Sequence, residues 1–184
     1  MQLKAWVEGG APFDAAVVTD AVADDLIKQG KLAARTSLAR SGIAVAIRKG
    51  APEPDLYSAN DFKKMLLSAK SIAWVEQGQS GIYLKSVFER LGVAEQIKDK
   101  LIAVKNAGEA VANGEAEIGF TQASEVLPYA GAEVGGMLPP DIQLFTNFSI
   151  GIRDKDSKPA EALVRFLTTP AAAAVIKLKG LEPL

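Results

Sequence analysis

The chain has 184 residues, 48% of them apolar and 23% charged, with a net charge of −1 and neither cysteine nor histidine. That balance describes one domain or two small lobes with a self-sufficient core, and it gives no basic footprint for nucleic acid or an anionic membrane surface. The two missing residue types exclude disulfides, thiol nucleophiles, Cys/His zinc sites and the Ser-His-Asp arrangement, and leave carboxylate-only metal or acid–base sites open.

In chain order, residues 3–8 read as a helix stopped by Gly9, Gly10 and Pro12. Phe13 to Thr19 is a short apolar run, read as a buried strand. Asp20 caps a helix through Ile27 that Gly30 ends. Ile43 to Arg48 is the next strand. Ser58 or Asn60 opens a helix with Phe62, Met65, Leu66 and Ala69 on one face. Ser71 to Val75 is a strand, Gln77 to Gly81 a glycine-rich loop, and the helix after it carries Ile82, Val87, Phe88 and Leu91 on its apolar face. Leu101 to Val104 is a strand that leads through Asn106-Ala107-Gly108 into a helix. Glu117 to Thr121 is a strand, followed by a short helix from Ser124. Leu144 to Arg153 is a long strand, and helices at 159–168 and 170–178 carry Pro159 and Pro170 in their first turns. Strands alternate with helices, so the expected class is α/β with mostly parallel strands. No apolar run reaches the roughly 20 residues of a membrane helix. The stretch from Met1 to Val7 has no signal-peptide pattern.

Candidate binding residues lie where small-residue loops join strand ends to helix starts. Gln79, Ser80 and Gly81 form one such loop, and Asn106 and Ala107 another. Uncapped backbone N–H groups and a partial positive charge make a helix start a seat for an anion, and small side chains leave them accessible. Ser80 adds a hydroxyl; Gln79 and Asn106 add amides. One such loop alone is more often an ordinary cap, but ligands of open α/β sheets do bind at strand carboxyl ends. Thr121 and Gln122 follow a buried strand and form the third candidate; a polar turn capped by Ser124 reads equally well. Asp14, Asp20, Asp24 and Asp25 lie near one another, and the last three suit a helix start and its solvated face. No pair of carboxylates is placed for catalysis, and no phosphate-loop ending follows Gly81.

Five blocks carry a family resemblance: PFDAAVVTD at 12–20, LARSGIAVAIRKGAPEPD at 38–55, AKSIAWVEQGQSGIYLKSVFERLGV at 69–93, GEAVANGEAEIGFTQASEVLP at 108–128 and RFLTTPAAAAVIKLKGLEP at 165–183. Together they resemble the substrate-binding proteins of molybdate-type ABC importers, which have the type II periplasmic binding protein fold. The resemblance implies two α/β lobes joined by crossing strands near Ile43–Arg48 and Phe145–Ile152, with a ligand closed between them. Lobe I would be residues 1–50 plus 146–184, and lobe II residues 51–145. It also implies ligand contacts near Ser80 and Gly81, at Asn106 and Ala107, and after the strand ending at Thr121. Molybdate binders typically have a tyrosine at that last position, where this chain has Gln122, which favours another oxyanion or an organic acid. The family's first strand, serine-bearing loop and second strand have no counterpart before Pro12, so lobe I is expected to be incomplete.

The expected function is therefore non-enzymatic capture of a small anion, without cofactor or metal, for an ABC permease in the periplasm. Neither nucleic acid nor membrane insertion is expected. The alternatives are a cytosolic sensing relative of the fold and a truncated remnant without transport role. The strand of Phe13–Thr19 would be left as an open edge, apolar on both faces, so a homo-oligomer through lobe I near residues 1–20 is expected.

Overall fold

The computed structural model describes residues 2–184; Met1, where the expected lobe I and the signal-peptide reading both begin, lies outside them. The chain forms two compact units, one of residues up to Arg40 with Thr146–Leu184, the other Ser41–Phe145.

In the first unit, α1 (Gln2–Glu8) and α2 (Asp20–Lys28) flank β1 (Ala15–Thr19). Thr19 is the N-cap of α2, so Asp20 is its first helical residue rather than the expected cap. Val7, Ala16, Val18, Ala23, Leu26 and Leu32 form the core here. β1 pairs antiparallel with β7 (Phe145–Ile152) and, among the described residues, stands at the end of the strand order. The Arg35 guanidinium ties α2 down: it donates to Asp24 at 2.7 Å and to Ser149 Oγ at 3.0 Å. α8 (Lys158–Leu167) and α9 (Pro170–Leu178) are capped by the hydroxyls of Ser157 and Thr169, and β8 (Glu182–Pro183) pairs with β2 at Ala39 and Arg40.

The second unit is built on β2 (Ala34–Arg48), β3 (Ile72–Trp74), β4 (Leu101–Ala103), β5 (Ile118–Gln122) and β6 (Ala132–Met137). Its sheet has one face of large side chains and one of small. Ile43, Val45, Ile47, Ile72, Trp74, Ile118 and Phe120 belong to the larger core, with Phe62 and Phe88 closing on Phe120 at 5.5 and 6.2 Å between ring centroids. These residues pack against α3 (Ala59–Ser68), α4 (Gln79–Arg90) and α5 (Ala94–Ile97), which supply Leu66, Leu84, Val87 and Ile97. The alternate positions Ala46 and Ala73 face Ala107, Ala110 and Val111 of α6 (Ala107–Ala112) and Val126 of α7 (Ala123–Val126). Alternation of large and small residues along each strand is the period-two signature of a sheet buried on both faces.

Two sequence expectations are corrected. Strands are not mostly parallel: β1–β7, β2–β5, β2–β6 and β2–β8 are antiparallel, and only β3–β4 and β3–β5 are parallel, where crossover helices join them. β2, at 15 residues, pairs with β8 at Ala39 and Arg40 and with β5 and β6 over Ile43–Arg48. On α4, Ile82 is 66% exposed and Leu84 takes its expected place, since Leu84, Val87, Phe88 and Leu91 hold the i, i+3, i+4, i+7 spacing. β6, α5 and β8 have no counterpart in the sequence reading.

Candidate functional site

β5, β3 and β4 lie side by side and parallel, with Trp74 in register with both Ala103 and Phe120. Their carboxyl ends therefore open on one edge of the second unit. From that edge emerge Val75 to Ser80, Val104 to Asn106, and Gln122 to Glu125. A cavity of about 130 Å³ lies among them, lined by Val75, Gly78, Gln79, Ser80, Lys105, Asn106, Gln122 and Glu125.

The Gln77–Gly81 stretch is not wholly a loop. Helix α4 starts at Gln79, with Gly78 as an N-cap that has no side-chain hydrogen bond. The first-turn N–H groups of this 12-residue helix are consequently left to the cavity, and its dipole adds partial positive charge there. Gly81 is buried behind them, because a Cβ at that position would lie 2.1 Å from the Val75 carbonyl oxygen. The glycine lets the helix start almost touch the end of β3.

The second arm is held by small residues. A Cβ on Gly108 would lie 2.9 Å from the Glu125 carbonyl oxygen, and one on Gly119 would lie 2.9 Å from the Ala107 carbonyl oxygen. α6 thus sits tightly against β5 and α7 and brings Asn106 beside Gln122 and Glu125. The Asn106 side-chain oxygen is occupied, accepting the Glu109 N–H at 3.0 Å. Its NH₂ end is the one left to donate.

Of the seven residues expected from sequence, Gln79, Ser80, Asn106 and Gln122 line this cavity together. Gly81, Ala107 and Thr121 are buried and do not line it. The Thr121 hydroxyl instead donates to the Glu125 carboxylate. Ser124 is not the cap of α7, whose N-cap is Gln122; the Ser124 hydroxyl meets the Ser41 hydroxyl at 3.4 Å. The sequence reading missed Lys105 and Glu125. Lys105 was legible as the cation next to Asn106 at a strand exit, and Glu125 as the residue one helical turn after Thr121. Among the described residues Lys105 makes no ion pair, although Glu125 lines the same cavity. The cavity therefore presents an ammonium, a helix start, an amide and a hydroxyl to an anion, and one carboxylate to a donor.

The family model of bacterial extracellular solute-binding proteins matches residues 1–182. An aconitate isomerase from a Pseudomonas species is 34% identical over 179 residues, covering 94% of this chain and 68% of that protein. A molybdate-binding protein from Azotobacter vinelandii is 28% identical over 183 residues, covering 95% of this chain and 72% of that protein. Among solved structures, the periplasmic molybdate-binding protein of Azotobacter vinelandii superimposes with a TM-score of 0.73 at 20% identity, covering 98% of this chain and 82% of that one. A tungstate-binding protein from Desulfovibrio alaskensis gives 0.67 at 15% identity, covering 100% and 83%. The chain belongs to the bacterial extracellular solute-binding proteins.

Proposed function

We propose that this solute-binding protein captures a small anion in the cavity at the carboxyl ends of β3, β4 and β5 and serves an ABC permease outside the cytoplasmic membrane. The observation that carries this reading is the meeting of the uncapped first turn of α4 with the unpaired Lys105 ammonium and the Asn106 amide. Each charge-assisted hydrogen bond to a bound anion would contribute about 1.5–3 kcal/mol. Gln122 stands at the same wall, and Gln79 and Ser80 complete it. Members of the family are periplasmic binding proteins with small-anion ligands and permease partners. No helix among the described residues is long and apolar enough to cross a membrane. Titration calorimetry with a panel of inorganic oxyanions and small carboxylates tests the reading, with Ser80→Ala and Lys105→Ala as controls; binding that neither variant weakens would sink it.

A second reading, that the chain transforms the anion it holds, is favoured by its 34% identity to a protein named aconitate isomerase. Glu125, held by the Thr121 hydroxyl, is the carboxylate a proton transfer would use. Incubating the protein with cis- and trans-aconitate and following both isomers by proton NMR tests it. Interconversion that Glu125→Gln abolishes is the result expected of an isomerase, and no interconversion leaves the chain a binder.

A homo-oligomer through the first unit also belongs to this proposal. β1 has an open edge among the described residues, and Val17, Leu3 and Trp6 are 45%, 42% and 69% exposed around it. Unpaired strand edges with apolar surroundings recruit a further strand.

A further inference from the structure

The cavity carries both signs of charge, and one of them works against the simplest ligand of a molybdate-type protein. Lys105, the α4 first turn and the Asn106 NH₂ only donate or attract negative charge. Glu125 only accepts when ionised. It is exposed to solvent at the mouth of the cavity, but it is held there: the hydroxyl of Thr121, itself 1% exposed on β5, donates to it. That bond fixes one carboxylate oxygen from behind and leaves the other for whatever enters a space of about 130 Å³.

We infer that Glu125 makes the cavity selective for oxyanions that also carry an O–H donor, over fully ionised ones such as molybdate or sulfate. The inference rests on the proposed anion site and deepens it. A fully ionised tetrahedral oxyanion offers only acceptors, so the face turned to Glu125 meets like charge and gains no hydrogen bond from the carboxylate. A hydroxycarboxylate places its carboxylate against Lys105 and the helix start and its hydroxyl against Glu125. Hydrogen phosphate does the same with its acid proton. The shared chemistry is an anionic group beside an O–H. A site that hydrogen-bonds a ligand hydroxyl discriminates against analogues without it, here chiefly through the like-charge contact that such an analogue makes with Glu125.

Two matched pairs test this by titration calorimetry on the whole chain: malate against succinate, and phosphate against sulfate, with molybdate alongside. At least one donor-bearing member should bind about tenfold or more tighter than its partner, the pair that shows it identifying the source of the O–H. Glu125→Gln replaces the acceptor-only carboxylate with an amide that can also donate. It should close that gap and raise affinity for sulfate and molybdate. Thr121→Val, which releases the carboxylate while keeping the buried shape, should narrow the gap as well. Folding of both variants is checked by circular dichroism and thermal melting. If succinate, sulfate and molybdate bind as tightly as the donor-bearing ligands, or if Glu125→Gln leaves the gap unchanged, the selector role is overturned while a Lys105-dependent anion site stands. If none of the five ligands binds, the selector role is overturned and the anion site with it.

Discussion

A Cβ added to Gly81 would lie 2.1 Å from the carbonyl oxygen of Val75. The backbone just after β3 and the start of α4 are therefore in close contact, and Gly78, Gln79 and Ser80 at that start line the cavity. Gly81→Ala must push the helix start away from the strand. Overpacking of this kind costs about 1–3 kcal/mol, so the melting temperature should fall and anion binding should weaken together. Gly92→Ala is the control: Gly92 ends the same helix with nothing within 4 Å of its added Cβ but a φ of 65°. It should lower stability through backbone strain while leaving affinity unchanged.

The start of α3 is locked by a reciprocal cap. The Ser58 hydroxyl accepts the Asp61 N–H at 3.2 Å and donates to the Asp61 carboxylate at 2.7 Å. That bond from Ser58, with a second from Lys64, holds the Asp61 pKa below the ordinary carboxylate value. A depressed carboxylate adds stability above its unfolded pKa and loses it as pH falls through the folded one. Asp61→Asn should therefore lower the melting temperature at neutral pH and flatten the loss of stability below a pH of about 4. Ser58→Ala removes the cap itself and should cost about 1 kcal/mol by urea denaturation.

Gln143 does the work of a strand residue with its side chain. Its Oε1 accepts the Ile43 N–H at 2.8 Å and its Nε2 donates to the Ile43 carbonyl at 3.0 Å. Both backbone groups of a residue 2% exposed are thus satisfied at the point where β2 enters the second unit. Gln143→Leu removes both bonds, while the Ile43 N–H keeps the Leu144 carbonyl at 3.3 Å and its carbonyl keeps the Leu138 N–H at 3.1 Å, so the cost should be about 0.5–1.5 kcal/mol, read by urea denaturation at neutral pH.

Val17→Lys tests the open edge of β1. Val17 is 45% exposed, so the change leaves the core of Val7, Val18 and Leu26 in place. If a second copy pairs along β1, light scattering after size exclusion should show a dimer for the parent chain and a monomer for the variant. A monomeric parent chain at low micromolar concentration would remove the dimer from the account.

The fold was legible in the sequence where patterns are local. Ile43-Ala44-Val45-Ala46-Ile47 alternates large and small because its two faces meet differently sized neighbours. Ser58 marks the start of α3 directly, and Pro159 and Pro170 mark the first turns of α8 and α9. Strand direction was not legible, since it depends on which distant segment pairs with β2, and the sequence holds no local record of that. The cavity was legible in part for the same reason. Gln79, Ser80, Asn106 and Gln122 sit at strand exits that the chain order exposes. Thr121 read as a ligand contact because its position after a strand says nothing of its neighbours. In the fold it is buried and serves Glu125 instead. Lys105 and Glu125 are marked in the sequence only by their places beside Asn106 and four residues after Thr121; the register of β3, β4 and β5 is what brings them to one edge.

The most direct measurement is calorimetric titration of the parent chain, Lys105→Ala, Ser80→Ala and Gln122→Ala with the tightest ligand of the oxyanion and carboxylate panel. The account predicts one site per chain, with Lys105→Ala weakening binding by about tenfold or more and Ser80→Ala and Gln122→Ala by smaller, measurable factors. Unchanged affinity in all three variants would contradict it and place the anion elsewhere in the chain.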